Sequence, residues 1–216
     1  MQSTSYKTLY QTQVVEVTEK KSKFIATAVP VDTREAAEMA LAELRKQYKD
    51  ATHNVFAYRI KEPTQIWERQ SDDGEPSGTA GMPILDMLRG EDIVNVLMVV
   101  TRYYGGTLLG TGGLVRAYGH SAKLALVDVI EKTTYALMAI QVEYPLSGKV
   151  EYAVKSGGYE LKEIVYAEDV TYLLYLKVVD VPVFTEEMES LTNGTAKVKK
   201  IEETDGFFYQ GAFIIP

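Results

Sequence analysis

Between Ser71 and Tyr118 the chain gathers three glycine clusters around an Arg-Tyr-Tyr step, reading SDDGEPSGTAGMPIL and then VVTRYYGGTLLGTGGLVRAY. Glycine in regular structure costs roughly 0.5–1 kcal/mol relative to alanine, so this density points to tight turns or close backbone approach. It is the stretch with functional resolving power. The rest reads as scaffold.

That scaffold alternates short strands with amphipathic helices. Val14 to Lys20 and Phe24 to Val31 have strand composition, the second closed by Pro30 and Asp32. Asp32 with Glu35 predicts a capping box, after which Ala37, Ala40, Leu41, Leu44 and Tyr48 follow at helical spacing. From His53 to Ile60 the side chains alternate: Asn54, Phe56, Tyr58 and Ile60 on one side, His53, Val55, Ala57 and Arg59 on the other, with Gln65 to Arg69 as a pairing partner. Met82 to Leu88 predicts a short helix, Val94 to Thr101 a buried strand, and Leu114 to Val129 a helix opened by Gly110, Gly112 and Gly113. Beyond Lys132 the predicted order is strand (137–144), helix (148–156), strand (160–166), strand (170–178), helix (184–191) and strand (198–203). This βαββαβ order is ferredoxin-like. Ser147 and Thr185 are the expected helix starts, Gly157-Gly158 and Asn193-Gly194 the expected ends. The expected architecture is therefore α+β in two domains, residues 1–132 and 133–216.

Charge changes at the same place. Residues 1–132 carry a formal net charge of −1 and residues 133–216 one of −6, together the −7 of the whole chain. Every arginine lies in the first part, and arginine is the side chain suited to planar recognition of phosphate or carboxylate, so anion contacts belong there. The acidic total argues against strong non-specific nucleic-acid binding. The absence of cysteine excludes disulfide partners, thiolate catalysis and cysteine-bearing zinc sites. No apolar run reaches the roughly 18–20 residues of a membrane helix, and the polar opening MQSTSYKTLYQTQ lacks a signal-peptide core. A cytoplasmic location without membrane contact is expected.

Gly105, Gly106, Gly110, Gly112 and Gly113 invite a phosphate-loop reading. Gly105 to Gly110 has Walker spacing, but Thr111 stands where the lysine must be, and Val115 replaces the last glycine of a dinucleotide fingerprint. What survives is a glycine-rich turn feeding a helix N-terminus, whose unpaired N–H groups and positive dipole end suit an anion. Arg116, His120 and Lys123 fall on one face of that helix, a basic stripe that Arg102 can join; the alternative is an ordinary solvated face. Tyr103 and Tyr104 are suited either to stacking on bases or to walling the core; as adjacent strand residues they point apart, so at least one is expected to be exposed. Asp72, Asp73 and Glu75 sit beside glycine without EF-hand spacing, and carboxylates in such turns usually cap, turn or face water, so no metal is expected.

Three blocks, SDDGEPSGTAGMPIL, NVLMVVTRYYGG and LLGTGGLVRAYG, in this order and spacing resemble the signature of the IMPACT family in its two-domain, bacterial YigZ-like form, over roughly residues 20 to 128. THNVFAYRI resembles a strand of that family, with Val55 where relatives carry cysteine, so no thiol or metal role attaches to it. The resemblance implies an N-terminal domain folded like the second domain of a small-subunit ribosomal protein and domain IV of elongation factor G. It implies a C-terminal ferredoxin-like domain like domain V of the same factor. It also implies a place in translation, because eukaryotic relatives restrain a translation-stress kinase by competing for its ribosome-associated activator. The leading expectation is a non-enzymatic, translation-associated regulator that binds the ribosome, structured RNA or a ribosome-associated protein. Gly110, Gly112, Gly113, Arg102, Arg116 and Lys123 would form its anion-binding surface, and no cofactor is required. One alternative is an enzyme on a small anionic substrate, with Glu75 or Asp73 as acid/base or cation ligand. That requires residues 72–81 to lie against residues 102–116. The other is a protein-binding adaptor docking through Tyr103 or Tyr104.

Overall fold

The computed structural model describes residues 5–215; the first four residues of the polar N-terminal stretch and the final proline lie outside the described residues. Two compact α+β units divide the chain, one spanning Tyr6–Glu131 and the other beginning at Lys132.

The first unit runs β1 (Tyr6–Leu9), β2 (Gln13–Glu19), β3 (Ser22–Pro30), α1 (Arg34–Gln47), β4 (His53–Lys61), β5 (Ile66–Ser71), α2 (Gly81–Gly90), β6 (Val96–Tyr103) and α3 (Thr111–Leu124). Its sheet has the order β2-β3-β6-β4-β5, with every neighbour antiparallel. Strand alternation sorts the central residues between two cores. Val55, Ala57, Val96, Met98 and Val100 face α2 and α3 with Ile84, Leu88 and Tyr118, whereas Phe56, Tyr58, Ile60, Leu97 and Val99 face α1 with Ala37 and Leu41. Both faces of β4 and β6 are covered, which is why these strands read as near-continuous apolar runs. Each fully buried Val, Leu or Ile contributes on the order of 1.5–3 kcal/mol.

The cap of α1 differs from the expectation. Thr33, not Asp32, is the N-cap, and its side chain accepts the Ala36 N–H. Asp32 instead accepts from the Asn95 side chain at 3.3 Å. Helix α3 begins three residues before Leu114 and ends at Leu124, five residues short of Val129. Its tail is lost because Ala125 caps it and Asp128 adopts a left-handed φ of 55°, turning the β-branched Val129 and Ile130 into the next strand.

That strand is β7 (Val129–Val142), followed by α4 (Tyr144–Ser156), β8 (Glu160–Tyr166), β9 (Val170–Lys177), a 3-10 turn at Val178–Asp180, α5 (Val181–Leu191), β10 (Lys197–Tyr209) and β11 (Ala212–Ile214). The sheet order β10-β7-β9-β8, all antiparallel, with both helices between strands as the sequence order requires, is the ferredoxin-like arrangement. The helix starts again differ from expectation. Glu143 precedes α4 with Pro145 in its first turn, so Ser147 lies inside the helix and donates to the Tyr144 carbonyl. Thr185 lies inside α5 and donates to the Val181 carbonyl. The ends are as expected: Gly157 caps α4, Gly158 has φ 69°, and Asn193 and Gly194 are left-handed after α5. Strand β11 returns on β10 across Gln210-Gly211, both at positive φ, and its Phe213 packs on Tyr135, Tyr175 and Phe208.

Candidate functional site

At one edge of the first unit, four segments converge: the loop 72–81, the C-terminal end of β6, the β2–β3 turn and the N-terminus of α3. Asp72 builds the first of these. Its Oδ1 accepts the N–H groups of Ala80 and Gly81 at 3.0 and 2.8 Å, and its Oδ2 accepts that of Gly78 at 2.8 Å. A carboxylate from outside the helix thus caps α2, whose own N-cap Ala80 has no side chain able to do so. Asp73 accepts the Asn54 N–H through Oδ2 and pairs with Arg45 through Oδ1 at 3.1 Å. Both aspartates are occupied in shaping the loop, and among the described residues no group of three or more acidic, histidine or cysteine side chains is arranged for a metal.

Glu75 is the member of the acidic run that turns inward. Its Oε1 accepts from Arg102 Nη1 at 2.6 Å and from the Tyr118 hydroxyl at 2.8 Å, with only 4% of the Glu75 and 6% of the Arg102 side chain exposed. Arg102 Nη2 also donates to Ser22 Oγ at 3.2 Å, and the guanidinium lies near the rings of Phe24 and Tyr104. Its Nε is buried and has no hydrogen-bond partner among the described residues. Burial first, then the Glu75 charge and hydrogen bond, push the Tyr118 hydroxyl well above the ordinary tyrosine value of 10.0, which fixes it as a neutral donor. His53 closes the cluster: Nδ1 lies 2.8 Å from the Asp73 carbonyl, which can only accept, so Nδ1 carries the proton and Nε2 sits 3.8 Å from Glu75 Oε1.

His53, Glu75 and Arg102 line a cavity of about 410 Å³ whose wall continues over Tyr104, Leu108 and Leu114 to Gly110 and Thr111 at the start of α3. Residues 72–81 and 102–116 therefore do lie against each other. Arg102, expected as a surface cation, is buried. Tyr104 is 46% exposed at the cavity, while the Tyr103 hydroxyl donates to Asp50.

Gly105 and Gly106 make the connection. Gly105 N–H donates to Ser22 Oγ at 3.2 Å, and its Cα runs so close to the β2–β3 turn that an added Cβ would overlap the Lys21 carbonyl. Gly106 has φ 79°. Gly110, at φ 74°, is the N-cap of α3 and supplies no side-chain acceptor; Gly112 and Gly113 occupy the first turn, where a Cβ on Gly113 would come within 3.0 Å of Leu109 Cβ.

On the other flank of the same helix, Gly113, Arg116 and His120 line a concavity of about 420 Å³ with Glu19 and Lys20. Arg116, His120 and Lys123 are exposed on α3 as the spacing predicts, but Lys123 is paired with Glu91 at 2.8 Å. Six of the seven arginines have carboxylate partners: Arg34 with Glu62, Arg45 with Asp73, Arg59 and Arg89 with Glu68, Arg69 with Glu38, and Arg102 with Glu75. Arg116 has none among the described residues. Lys20, which lines the same concavity, was not singled out from the sequence; with Lys21 it forms the two-residue β2–β3 turn, at φ 45° and 70°. Two lysines in consecutive left-handed conformations are uncommon, because such turns favour Asn-Gly. Short of that pairing register, no sequence signal marks them.

Comparison with known proteins places these features in a wider setting. Residues 20–126 match the Impact N-terminal domain, and residues 140–195 match a domain of unknown function, DUF1949. The chain is 39% identical to IMPACT family member YvyE of Bacillus subtilis over 202 residues, 93% of each chain. It is 34% identical to IMPACT family member YigZ of Escherichia coli over 187 residues, 85% of this chain and 92% of that one. A solved structure described as that of a hypothetical protein superposes with a TM-score of 0.58 at 32% identity, covering 92% of this chain and 98% of its own.

Proposed function

This chain belongs to the IMPACT family, and on that premise we propose that it is a translation-associated regulator binding structured ribosomal RNA through the exposed basic face of α3. Family membership supports the translational setting. The observation that carries the surface is Arg116: it is the arginine left without a carboxylate partner among the described residues, and it shares a concavity with Lys20, His120 and the first turn of α3. An exposed guanidinium beside uncapped helix N–H groups matches a phosphate oxygen in charge and in donor geometry. The chain's net charge of −7 works against diffuse attraction, so the contact is local and made by few cations.

The strained lysine turn gives this reading a test in which stability and binding move in opposite directions. Lys20→Asn/Lys21→Gly installs the residues that a tight hairpin favours, and the variant is expected to be more stable by about 1 kcal/mol or more, read as a higher urea midpoint. Its affinity for deproteinised ribosomal RNA is expected to fall. RNA affinity unchanged at low salt would remove this face from the proposal, and binding to intact ribosomes but not to their RNA would replace the RNA with a ribosome-associated protein.

A further inference from the structure

The cavity lined by His53, Glu75 and Arg102 adjoins the basic concavity, with Leu109 in the wall of both, and it holds two hydrogen-bond acceptors that folding leaves unused. Arg102 and Tyr118 both donate to Glu75 Oε1, and among the described residues no hydrogen bond reaches Oε2. The side chain is 4% exposed, yet Oε2 is not one of the sealed polar atoms, so it opens on the cavity that Glu75 lines. A carboxylate oxygen this deeply buried is costly without a donor. The second acceptor is His53 Nε2. Nδ1 of the same ring holds its proton toward the Asp73 carbonyl, and Nε2 lies 3.8 Å from the Glu75 carboxylate, so both acceptors belong to one side of the cavity. The rest of the wall is largely apolar, including Tyr104 at 46% and Leu108 at 83% exposure.

We propose that this cavity binds a guanine base, which donates from N1–H and the N2 amine to Glu75 Oε2 and His53 Nε2 while its ring rests on Tyr104 and Leu108. Charge and donor pattern select the class. Arg102 already cancels Glu75 at 2.6 Å, so the cavity favours an uncharged donor over a cation. Guanine carries adjacent N–H donors on its Watson–Crick edge. Adenine and cytosine set a ring-nitrogen acceptor beside the amine, and uracil flanks its N–H with carbonyls, so each would turn an acceptor toward the carboxylate. Proteins read unpaired bases in this way, by hydrogen bonds to the edge and stacking on an aromatic side chain. The volume, about 410 Å³, is that of a small-molecule site and admits a single base rather than a duplex. The source of the base rests on the RNA-binding reading: with a phosphate at Arg116, a neighbouring unpaired guanine would enter on the other side of Leu109.

The experiment has two arms on the full chain. In the first, guanosine, inosine and adenosine are titrated while the His53 and Tyr104 ring signals are followed by NMR; guanosine is expected to move both sets, and inosine, which lacks the N2 amine, to bind about fivefold more weakly or worse. In the second, the affinities of a short oligouridylate and of the same strand with one central guanosine are measured by fluorescence anisotropy. The guanosine strand is expected to bind about tenfold more tightly. Tyr104→Ala, at a half-exposed position, keeps the fold and is expected to erase that preference while leaving the affinity for oligouridylate in place. Guanosine shifts with no affinity for either strand would support the base site and sink the RNA reading. Guanosine shifts with equal affinity for the two strands would support the site with a free nucleoside as its ligand. Equal affinity for the strands with no response to guanosine would overturn the site and leave the RNA-binding face standing. Inosine or adenosine acting as well as guanosine, or a preference that survives Tyr104→Ala, would also overturn it.

Discussion

Gly105→Ala is expected to destabilise the first unit by about 3 kcal/mol or more, at the top of the range for overpacking, and to show as a lowered denaturation midpoint with the second unit little affected. Overpacking is usually relieved when a side chain swings aside. At Gly105 the obstacles are backbone atoms: the carbonyl of Lys21 and, 2.5 Å from the added Cβ, the nitrogen of Ser22. Ser22 is fully buried, and Ser22 Oγ receives both the Gly105 N–H and Arg102 Nη2, so moving the turn would break those bonds as well. Gly112→Ala is the contrasting variant. Its Cβ would meet only Arg116 Nη1 at an ordinary 3.7 Å, and it lies within helix α3, so it should be neutral or stabilising. Equal stability of the two variants would show that the close approach of 105 to the β2–β3 turn is not a structural constraint.

Glu75→Ala comes next in expected effect, about 3–5 kcal/mol, because it leaves the Arg102 guanidinium buried without its counter-charge. Tyr118, fully buried, loses its acceptor in the same step. The double variant Glu75→Leu/Arg102→Met removes both charges, and its loss is expected to be well below the sum of the two single losses, which a double-mutant cycle by urea denaturation would measure. Additive losses would mean that the two side chains do not interact as their 2.6 Å separation implies.

Much of this fold is legible in the sequence because burial writes itself into alternation. His53 to Ile60 could be divided between two faces from pattern alone, and those faces do pack on different helices. Gly158 and Asn193-Gly194 likewise mark helix ends because left-handed conformations select those residues. The helix starts were less legible. Thr33 and Asp32 are both good caps, and only geometry decides between neighbours; α2 is capped by Asp72, nine residues before Gly81. The start of α3 was hidden by its own glycines, which are poor helix formers but are present at 110 and 113 for φ and for close packing on Leu109.

The site divides the same way. The basic stripe on α3 follows from helical spacing, whereas which of its cations are neutralised depends on contacts distant in sequence: Lys123 with Glu91, and Arg102 with Glu75. Asp72, Asp73 and Glu75 look alike in the sequence, yet two hold the loop and the third turns into a cavity. Lys20 reads as the end of a strand and Lys21 as part of the gap before the next, since the pair lacks the Asn-Gly signal that usually announces such a turn.

The most direct measurement is the affinity of the purified chain for deproteinised ribosomal RNA across a salt series, beside Arg116→Ala. Arg116 makes no ion pair among the described residues, so its removal should leave the denaturation midpoint nearly unchanged. The account predicts saturable, salt-sensitive binding that weakens in the variant, with the slope of log affinity against log salt shallower by about one phosphate contact. Identical affinity and slope for the two proteins would contradict it.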